Sequence, residues 1–525
     1  MLAVVPSATL HGLDGRPIRV EVDVAPGLPG FTIVGLADTA LQEARERVRG
    51  AVRNAGYTYP PRRITINLAP ADLRKGGSSL DLAMAVGVLL GSEQVRPRAG
   101  VTALIGELSL SGEVRTVPGV LPMVAALVRR GIRRIVVATE AVDEARLAAA
   151  VEVVGVASLA EAVAALSARR PRRSPADLPR VTLDRAGSPA AGDRGPAPDV
   201  GPPLVIPDLA EVRGQHEARR ALEIALAGGH GLLLVGPPGV GKTLLARTIP
   251  GLLPPLDDTA ALAATVVASA AGEGPLHGLR RTPPFRAPHH AISFAAMVGG
   301  GPDLTPGEIT RADHGVLFLD ELAEFDRDVL ESLRQPLEEG RVTIARARRV
   351  VTFPARFQLV AAMNPCPCGF AGSLPEGRCR CKPPLVERYE RRVSGPLRDR
   401  LDLWVTMARA GAAHLVARAE PEGSLAVGAR IARARAEAVD RRRVLNARLT
   451  GRALRAACAL DGHARRRLVA LADADGASGR GTERLLRVAR TIADLAGRDA
   501  VEPEHLEEAA WFRSHGERTV GALAS

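Results

Sequence analysis

The stretch Gly231-Leu-Leu-Leu-Val-Gly-Pro-Pro-Gly-Val-Gly-Lys-Thr243 holds the most specific chemistry in the chain. Gly236, Pro237, Pro238, Gly239, Val240, Gly241, Lys242 and Thr243 fit the phosphate-loop pattern G-x-x-x-x-G-K-[ST]. Glycines let backbone N–H groups turn inward around phosphate oxygens. In such a loop the lysine reaches the β- and γ-phosphates of ATP and the threonine hydroxyl ligates Mg²⁺. The apolar run before the loop predicts a buried strand. From Leu244 onward the pattern predicts a helix whose N-terminus favours anions. The chain has only three lysines, Lys75, Lys242 and Lys382. Residue frequencies therefore give on the order of 0.003 accidental matches to this pattern.

A second constellation follows at Gly315-Val-Leu-Phe-Leu-Asp-Glu321. Four apolar residues predict a buried parallel strand. Asp320 stands at its carboxyl end, where doubly wound sheets place their chemistry. There it would hold Mg²⁺ through water, and Glu321 would polarise an attacking water. Phe357-Gln-Leu-Val-Ala-Ala-Met-Asn364 predicts a further strand, ending in an amide that can position the lytic water. A plain turn asparagine before Pro365 is the alternative. Arg398 and Arg400, in Ser394-Gly-Pro-Leu-Arg-Asp-Arg-Leu-Asp402, are candidates for a cation reaching a γ-phosphate.

Composition sets bounds on the rest. At 525 residues the chain holds two to four domains. No apolar run approaches the ~18 residues that span a bilayer, and the first residues lack the basic region of a signal peptide. Five cysteines, four of them clustered, suit a reducing cytoplasm better than a disulfide framework. The net charge of +12 suits a polyanion such as nucleic acid. Arginine supplies nearly all of it in a chain rich in Ala, Gly and Pro, so the charge also fits a general compositional bias. Aromatic residues are 3%, which argues against a base-stacking platform.

The segment 1–168 alternates strand and helix patterns. Ile18, Val20, Val22 and Val24 alternate, as do Ile64, Ile66 and Leu68, while Leu41, Ala44, Val48 and Val52 have helical spacing. Strands are predicted near 103–110, 135–138 and 151–156, and a helix over 120–129. Residues 169–205, rich in Pro, Arg, Ala and Gly, have linker composition. Residues 206–409 carry the nucleotide motifs, and 410–525 predict helices over 427–442, 454–473, the segment beginning at Arg480, and 503–514.

The chain resembles the ComM/YifB family of magnesium-chelatase-like AAA+ ATPases. The resemblance rests on Gly27–Leu36, Glu43–Arg49, Arg63–Asp72 and Lys75–Asp81 in the first segment. It rests further on the motifs above, on Arg286-Ala-Pro-His-His-Ala-Ile-Ser293, and on Gly299–Gly301 with Pro306–Glu308. It implies an α/β chain: a Lon-protease-like (ribosomal-protein-S5-like) first domain, an AAA+ core with a parallel sheet, and a helical lid. It implies that Asn364 is the sensor of the γ-phosphate and that Arg400 reaches a neighbour's nucleotide. It implies that Arg480, opening the helix Ser478–Leu495, touches nucleotide in cis or in trans. Arg484, Arg487 and Arg490 then read as a solvated or DNA-facing stripe. For the whole chain it implies a homo-oligomer, a hexameric ring that uses ATP and Mg²⁺ to move DNA, with no membrane partner. A chelatase motor inserting Mg²⁺ into a porphyrin and a remodeller that does not touch DNA are the alternatives.

Three further features stay open. Ser79 falls where a Lon serine would sit, but Leu121 occupies the segment that should supply its lysine, so no peptidase is expected. The hairpin predicted over Arg341–Phe353 presents Arg346, Arg348 and Arg349 near its tip, as a phosphate grip or as an ordinary exposed turn. Cys366, Cys368, Cys379 and Cys381 could close an S₄ zinc site or remain reduced thiols in a Gly/Pro-rich loop. The adjacent His289 and His290 lack an evident third metal ligand, and Cys458 reads as core.

Overall fold

A computed structural model describes the chain except residues 36–38, 72–76, 98–99, 149–150, 168–205, 302–303, 347–348, 373–377, 410–420, 475, 477 and 523–525. The linker, Lys75 and Arg348 therefore lie outside the described residues. The Cα trace separates into two units: Met1–Pro203 with Thr265–Arg280 and Gly300–Pro306, and Leu204–Ala264 with Arg281–Gly299 and Gly307–Ser525.

In the first unit, strands β1 (Leu2–His11), β2 (Asp14–Ala25), β3 (Gly30–Val34) and β4 (Arg63–Ala69) form a sheet in the order β1-β2-β4-β3. The alternation in the sequence sets its register. Val20, Val22 and Val24 face Leu68, Ile66 and Ile64 across the β2/β4 ladder, and all six are buried. Such apolar pairs are the unit of sheet stabilisation, each worth about 0.2–1 kcal/mol. Ala44, Val48 and Val52 of the helix Thr39–Asn54 join the same core. The expected strand at 103–110 is broken into β5 (Ala103–Leu104) and β6 (Glu107–Leu108). At Gly106 a side chain would strike Val114 Cγ1 at 2.9 Å, and the chain turns there to pair β6 with β7 (Val114–Arg115). β8 (Arg134–Ala138) and β9 (Glu152–Val156) add in parallel to β5, and the helix forms over Val120–Arg129 as its pattern predicts.

The second unit is built on five parallel strands: β10 (Leu232–Val235), β11 (Phe285–Arg286), β14 (Val316–Leu319), β17 (Gln358–Met363) and β18 (Leu403–Thr406). The two-residue strands β12 (Gly299–Gly300) and β13 (Thr305–Pro306) precede β14 in the chain. The sheet order is β11-β14-β17-β10-β18. Every residue of β10 and β14 is buried, as their uninterrupted apolar runs require of a sheet covered on both faces. β15 (Arg341–Arg346) and β16 (Arg349–Pro354) form the expected hairpin, with Arg346 opposite Arg349. Val342, Val351 and Phe353 are buried at its base, while Val350 is 66% exposed.

The C-terminal helices share the core of this sheet. The helix expected over 454–473 is two, Gly451–Cys458 and Gly462–Ala474. Ala459 adopts φ +45°, and Asp461 Oδ1 accepts the Ala464 N–H at 2.7 Å, capping a new start. Cys458 is fully buried, as expected.

The arginine stripe is corrected. Arg490 is completely buried. Its Nε donates to Asp494 Oδ1 at 3.1 Å, and its Nη1 donates to the carbonyl oxygens of Ala457 at 3.1 Å and Asp499 at 2.7 Å. Arg484 is buried and donates to Asp399 at 2.8 Å, while Arg487 donates to the Ala447 carbonyl at 3.1 Å. Their three-residue spacing places them on the packed side of the helix Gly479–Leu495. A guanidinium can be buried where carbonyls and carboxylates fill its donor fork.

Candidate functional site

The register brings the phosphate loop and the acidic motif together. Val235 pairs with Met363, and Leu319 with Ala361, so Gly236, Asp320 and Asn364 all emerge at the carboxyl edge of adjacent strands. The loop turns through Gly239 and Gly241 into the helix Lys242–Arg247. Gly241 has φ +96°, a conformation that side-chain-bearing residues rarely adopt. Val240 is buried and Leu244 packs against the sheet core. Gln215 braces the loop from outside, its Nε2 donating to the Ala408 carbonyl at 2.7 Å and the Val240 carbonyl at 3.4 Å.

Lys242 is nearly buried. Its Nζ donates to the carbonyl oxygens of Gly236 at 2.6 Å and Pro237 at 3.0 Å, and to Asn364 Oδ1 at 3.1 Å. Burial lowers its pKa to about 8, against the opposing pull of Asp320 and Glu321. The Thr243 hydroxyl donates to Asp320 Oδ2 at 2.6 Å. Two hard oxygen donors thus converge on one point, the partial ligand set that Mg²⁺ accepts while keeping water and phosphate in its other positions. The donor set fits the ion.

Glu321 adopts φ +55°, and its N–H donates to Asp320 Oδ1 at 3.0 Å. Its carboxylate lies 3.1 Å from His290 Nδ1. His290 also meets the edge of the Phe325 ring, with centroids 6.4 Å apart. The two histidines do not diverge as they would on regular structure: they occupy a loop, with ring centroids 4.1 Å apart. Among the described residues neither belongs to a cluster able to hold a metal. Motif reading separated His290 from Glu321; only the parallel addition of β11 beside β14 brings them together. The same insertion is pinned by Arg286, which donates to both oxygens of Glu308 at 2.7 and 2.8 Å. The His290–Glu321 pair is partly exposed and adds little stability, so its effect falls on the aim of the Glu321 carboxylate. Alanine at His290 is expected to lower kcat for ATP about tenfold with KM nearly unchanged. Steady-state kinetics showing an unchanged kcat would remove His290 from the site.

Arg400 and Arg480 lie elsewhere. With Arg484 and Arg487 they line a cavity of about 740 Å³ that also includes Gly231, Gln358 and Asp402. These last three precede or begin β10, β17 and β18, so the cavity opens at the amino edge of the sheet. The four residues of β10 separate it from the phosphate loop, about 13 Å of strand. Arg400 pairs with Glu338. Burial lowers its pKa, and so do the charges of Arg480, Arg484 and Arg487. Arg398 is engaged otherwise: its Nε donates to the Val393 carbonyl at 3.1 Å and its Cζ sits 5.8 Å from the Trp404 ring centre.

Behind the cavity runs a buried polar chain that the sequence motifs do not announce. His230 is 3.1 Å from Asp402 Oδ2 through Nδ1 and 2.7 Å from the Thr491 hydroxyl through Nε2. Asn446 Nδ2 donates to Thr491 at 3.0 Å and to Asp494 at 2.7 Å. Burial pushes the Asp402 carboxyl up most strongly, and the His230 hydrogen bond together with the charges of His230, Arg487 and Arg484 outweighs it, leaving the pKa below its ordinary value.

All four clustered cysteines come together as free thiols, their sulfurs within 4.8 Å of one another. In the first unit the Ser79 hydroxyl donates to the Ala8 carbonyl at 3.1 Å. Leu121 is buried, and its N–H donates to Glu144 Oε1 at 2.9 Å.

A five-stranded parallel sheet with a phosphate loop, an acidic pair and an asparagine along one carboxyl edge defines a P-loop ATPase of the AAA+ class. Three family models match: "Magnesium chelatase, subunit ChlI" over residues 208–415, "Subunit ChlI of Mg-chelatase" over 20–141, and "Magnesium chelatase, subunit ChlI C-terminal" over 421–513. The chain is 41% identical to the protein YifB of Escherichia coli over 516 residues, covering 98% of this chain and 97% of the relative. It is 39% identical to the competence protein ComM of Haemophilus influenzae over 517 residues, covering 98% and 97%. A magnesium-chelatase 67 kDa subunit of Heliobacterium mobile is 26% identical over 197 residues, covering 32% of this chain and 29% of that protein. The chain belongs to the ComM/YifB family of magnesium-chelatase-like AAA+ ATPases. Membership implies ATP with Mg²⁺ and an oligomeric assembly, and no helix among the described residues is long and apolar enough to cross a membrane.

Proposed function

We propose that this chain is one subunit of a cytoplasmic hexameric ring that hydrolyses ATP to move DNA, in the manner of a branch-migration helicase. The observation that carries the ring is the separation of Arg400 and Arg480 from the phosphate loop by the length of β10. That placement at the opposite edge of the sheet, side by side in one cavity, supports a reading in which both guanidiniums serve a neighbour's nucleotide rather than their own chain's. In this reading Lys242 and the loop N–H groups hold the phosphates. Thr243 and Asp320 hold Mg²⁺, which neutralises phosphate charge when bound. Glu321 takes the proton of the attacking water, which Asn364 orients. Arg400, released from Glu338, and Arg480 stabilise the charge from the next subunit.

DNA as the track is supported by the β15/β16 hairpin, whose tip is flanked by Arg346 and Arg349, and by the net charge of +12. The relative in Haemophilus influenzae is by its name a competence protein. The Lon-like unit acts in assembly or nucleic-acid contact rather than peptide cleavage, since Ser79 donates to a carbonyl and Leu121 is core.

The test is ATP turnover with single-stranded, duplex and four-way DNA. Branched DNA is expected to raise turnover severalfold, and a Glu321→Gln chain to retain DNA in the presence of ATP. No stimulation by any DNA, with none retained, overturns the DNA reading. Turnover answering instead to a porphyrin and partner subunits would favour the chelatase alternative.

A further inference from the structure

The four-cysteine cluster lies directly beyond the strand that carries Asn364. β17 ends at Met363, and Cys366 follows Asn364 by two residues. Cys366 Sγ is 3.3 Å from Cys368 Sγ and 3.8 Å from Cys379 Sγ, and Cys368 Sγ is 3.7 Å from Cys379 Sγ. Zinc–thiolate bonds of about 2.3 Å at tetrahedral angles place sulfurs about 3.8 Å apart. With Cys381 included, all four sulfurs lie within 4.8 Å of one another, which fits one ion rather than a polynuclear cluster. The Ala371 N–H also points at Cys366 Sγ, at 3.3 Å. Arg378, Arg380 and Lys382 alternate with the last two cysteines, supplying cations beside a site whose four thiolates and Zn²⁺ sum to −2.

The turn between the two cysteine pairs touches the ATP site. Gly369 adopts φ +83°, and a side chain there would meet Pro238 Cδ of the phosphate loop at 2.7 Å and Asn364 Cγ at 3.8 Å. Asn364 in turn accepts from Lys242. The cysteine loop therefore backs both the phosphate loop and the asparagine.

We propose that Cys366, Cys368, Cys379 and Cys381 bind one structural Zn²⁺, and that this clasp fixes Asn364 and Pro238 so that loss of the metal weakens nucleotide binding. The metal assignment stands on the sulfur geometry alone; the coupling rests on the ATP-site reading above. A tetrathiolate is a closed shell with no place for substrate, so the ion supplies rigidity and not chemistry. Its release by an oxidant or electrophile would make ATP use sensitive to the thiol state of the cell.

Elemental analysis of the full chain, purified without added metal, is expected to find one zinc per chain, and Cys366→Ser and Cys379→Ser chains to lose it. Iron in its place, or no metal at all, overturns the assignment. Because those variants can misfold, the wild-type chain is also titrated with a mercurial. Zinc release is read with a chromophoric chelator and binding of a fluorescent ATP analogue is read in parallel. Affinity is expected to fall about tenfold as zinc leaves and to return with Zn²⁺ and thiol. Zinc leaving with unchanged affinity overturns the coupling. Gly369→Ala should keep its zinc yet bind the analogue more weakly, and wild-type affinity there also counts against the coupling. None of these readouts depends on DNA, so they stand or fall apart from the motor reading.

Discussion

A Lys242→Ala chain is expected to lose about 10²–10³ in ATPase kcat/KM, the scale found when one preorganised donor to developing phosphate charge is removed. The wild-type geometry says why the lysine cannot be spared. Its ammonium is nearly buried and its three N–H donors are taken by two loop carbonyls and Asn364, so it is held in the loop and trades one of these neutral acceptors for phosphate when ATP arrives. Burial lowers its pKa to about 8. That shift gives a second signature. Below pH 7 the lysine carries its proton with or without nucleotide. Between about pH 8 and its ordinary pKa of about 10.4 it is largely neutral alone and protonated against phosphate. ATP binding should therefore take up about half a proton per chain at pH 8 and almost none at pH 6. Calorimetry in buffers of different ionisation enthalpy measures the uptake. Lys242→Ala should abolish it, and turnover within a few-fold of wild type in that chain would refute the phosphate-loop assignment.

The second large effect concerns Arg400. Arg400→Ala should reduce turnover by about 10³ or more, as for other arginines that reach a neighbour's γ-phosphate. Mixing makes the argument specific. Lys242→Ala chains lack a working loop but present Arg400; Arg400→Ala chains have the loop but lack the guanidinium. In a one-to-one mixture about a quarter of interfaces pair an intact loop with an intact arginine, and activity should recover to that extent. If Arg400 served its own chain, no interface would be complete and nothing would recover. Arg480→Ala should behave like Arg400→Ala when mixed with Lys242→Ala. A mixture of Arg400→Ala with Arg480→Ala should stay inactive, because both residues come from the same side of each interface. Recovery in that last mixture would place Arg480 on the nucleotide of its own chain.

What the sequence discloses and what it conceals divide along physical lines. The phosphate loop, β14 and β17 were legible because each motif is local: a buried apolar run fixes a strand, and the residues just past its end share the sheet's carboxyl edge. The hairpin at 341–354 was legible for the same reason, its two apolar faces alternating around a short turn. The stripe Arg484, Arg487 and Arg490 was misread because periodicity gives a face without saying what covers it. Three carbonyls from two other segments fill the donors of Arg490, and no spacing rule foretells them. The partnership of His290 with Glu321 was hidden likewise, since it depends on which strands are neighbours. The break at Ala459 escaped notice because alanine normally favours helix, and the Asp461 cap wins locally. Cysteine pairing was visible as a count, whereas the closeness of that loop to Pro238 was not.

The buried chain from Asp402 through His230 to Thr491 and Asn446 has a mechanical consequence. Asp402 lies two residues beyond Arg400, and Thr491 lies on the helix that begins beside Arg480. Swinging that helix away from the sheet would strand several polar groups without water, at about 1–3 kcal/mol for each one left unpaired. The helical region and the sheet thus behave as one stiff body, and the two guanidiniums as the prongs of a single fork of fixed gap. In the proposed ring a stroke would then take the form of whole subunits rolling against each other, so that what one subunit's nucleotide feels is the angle of its neighbour.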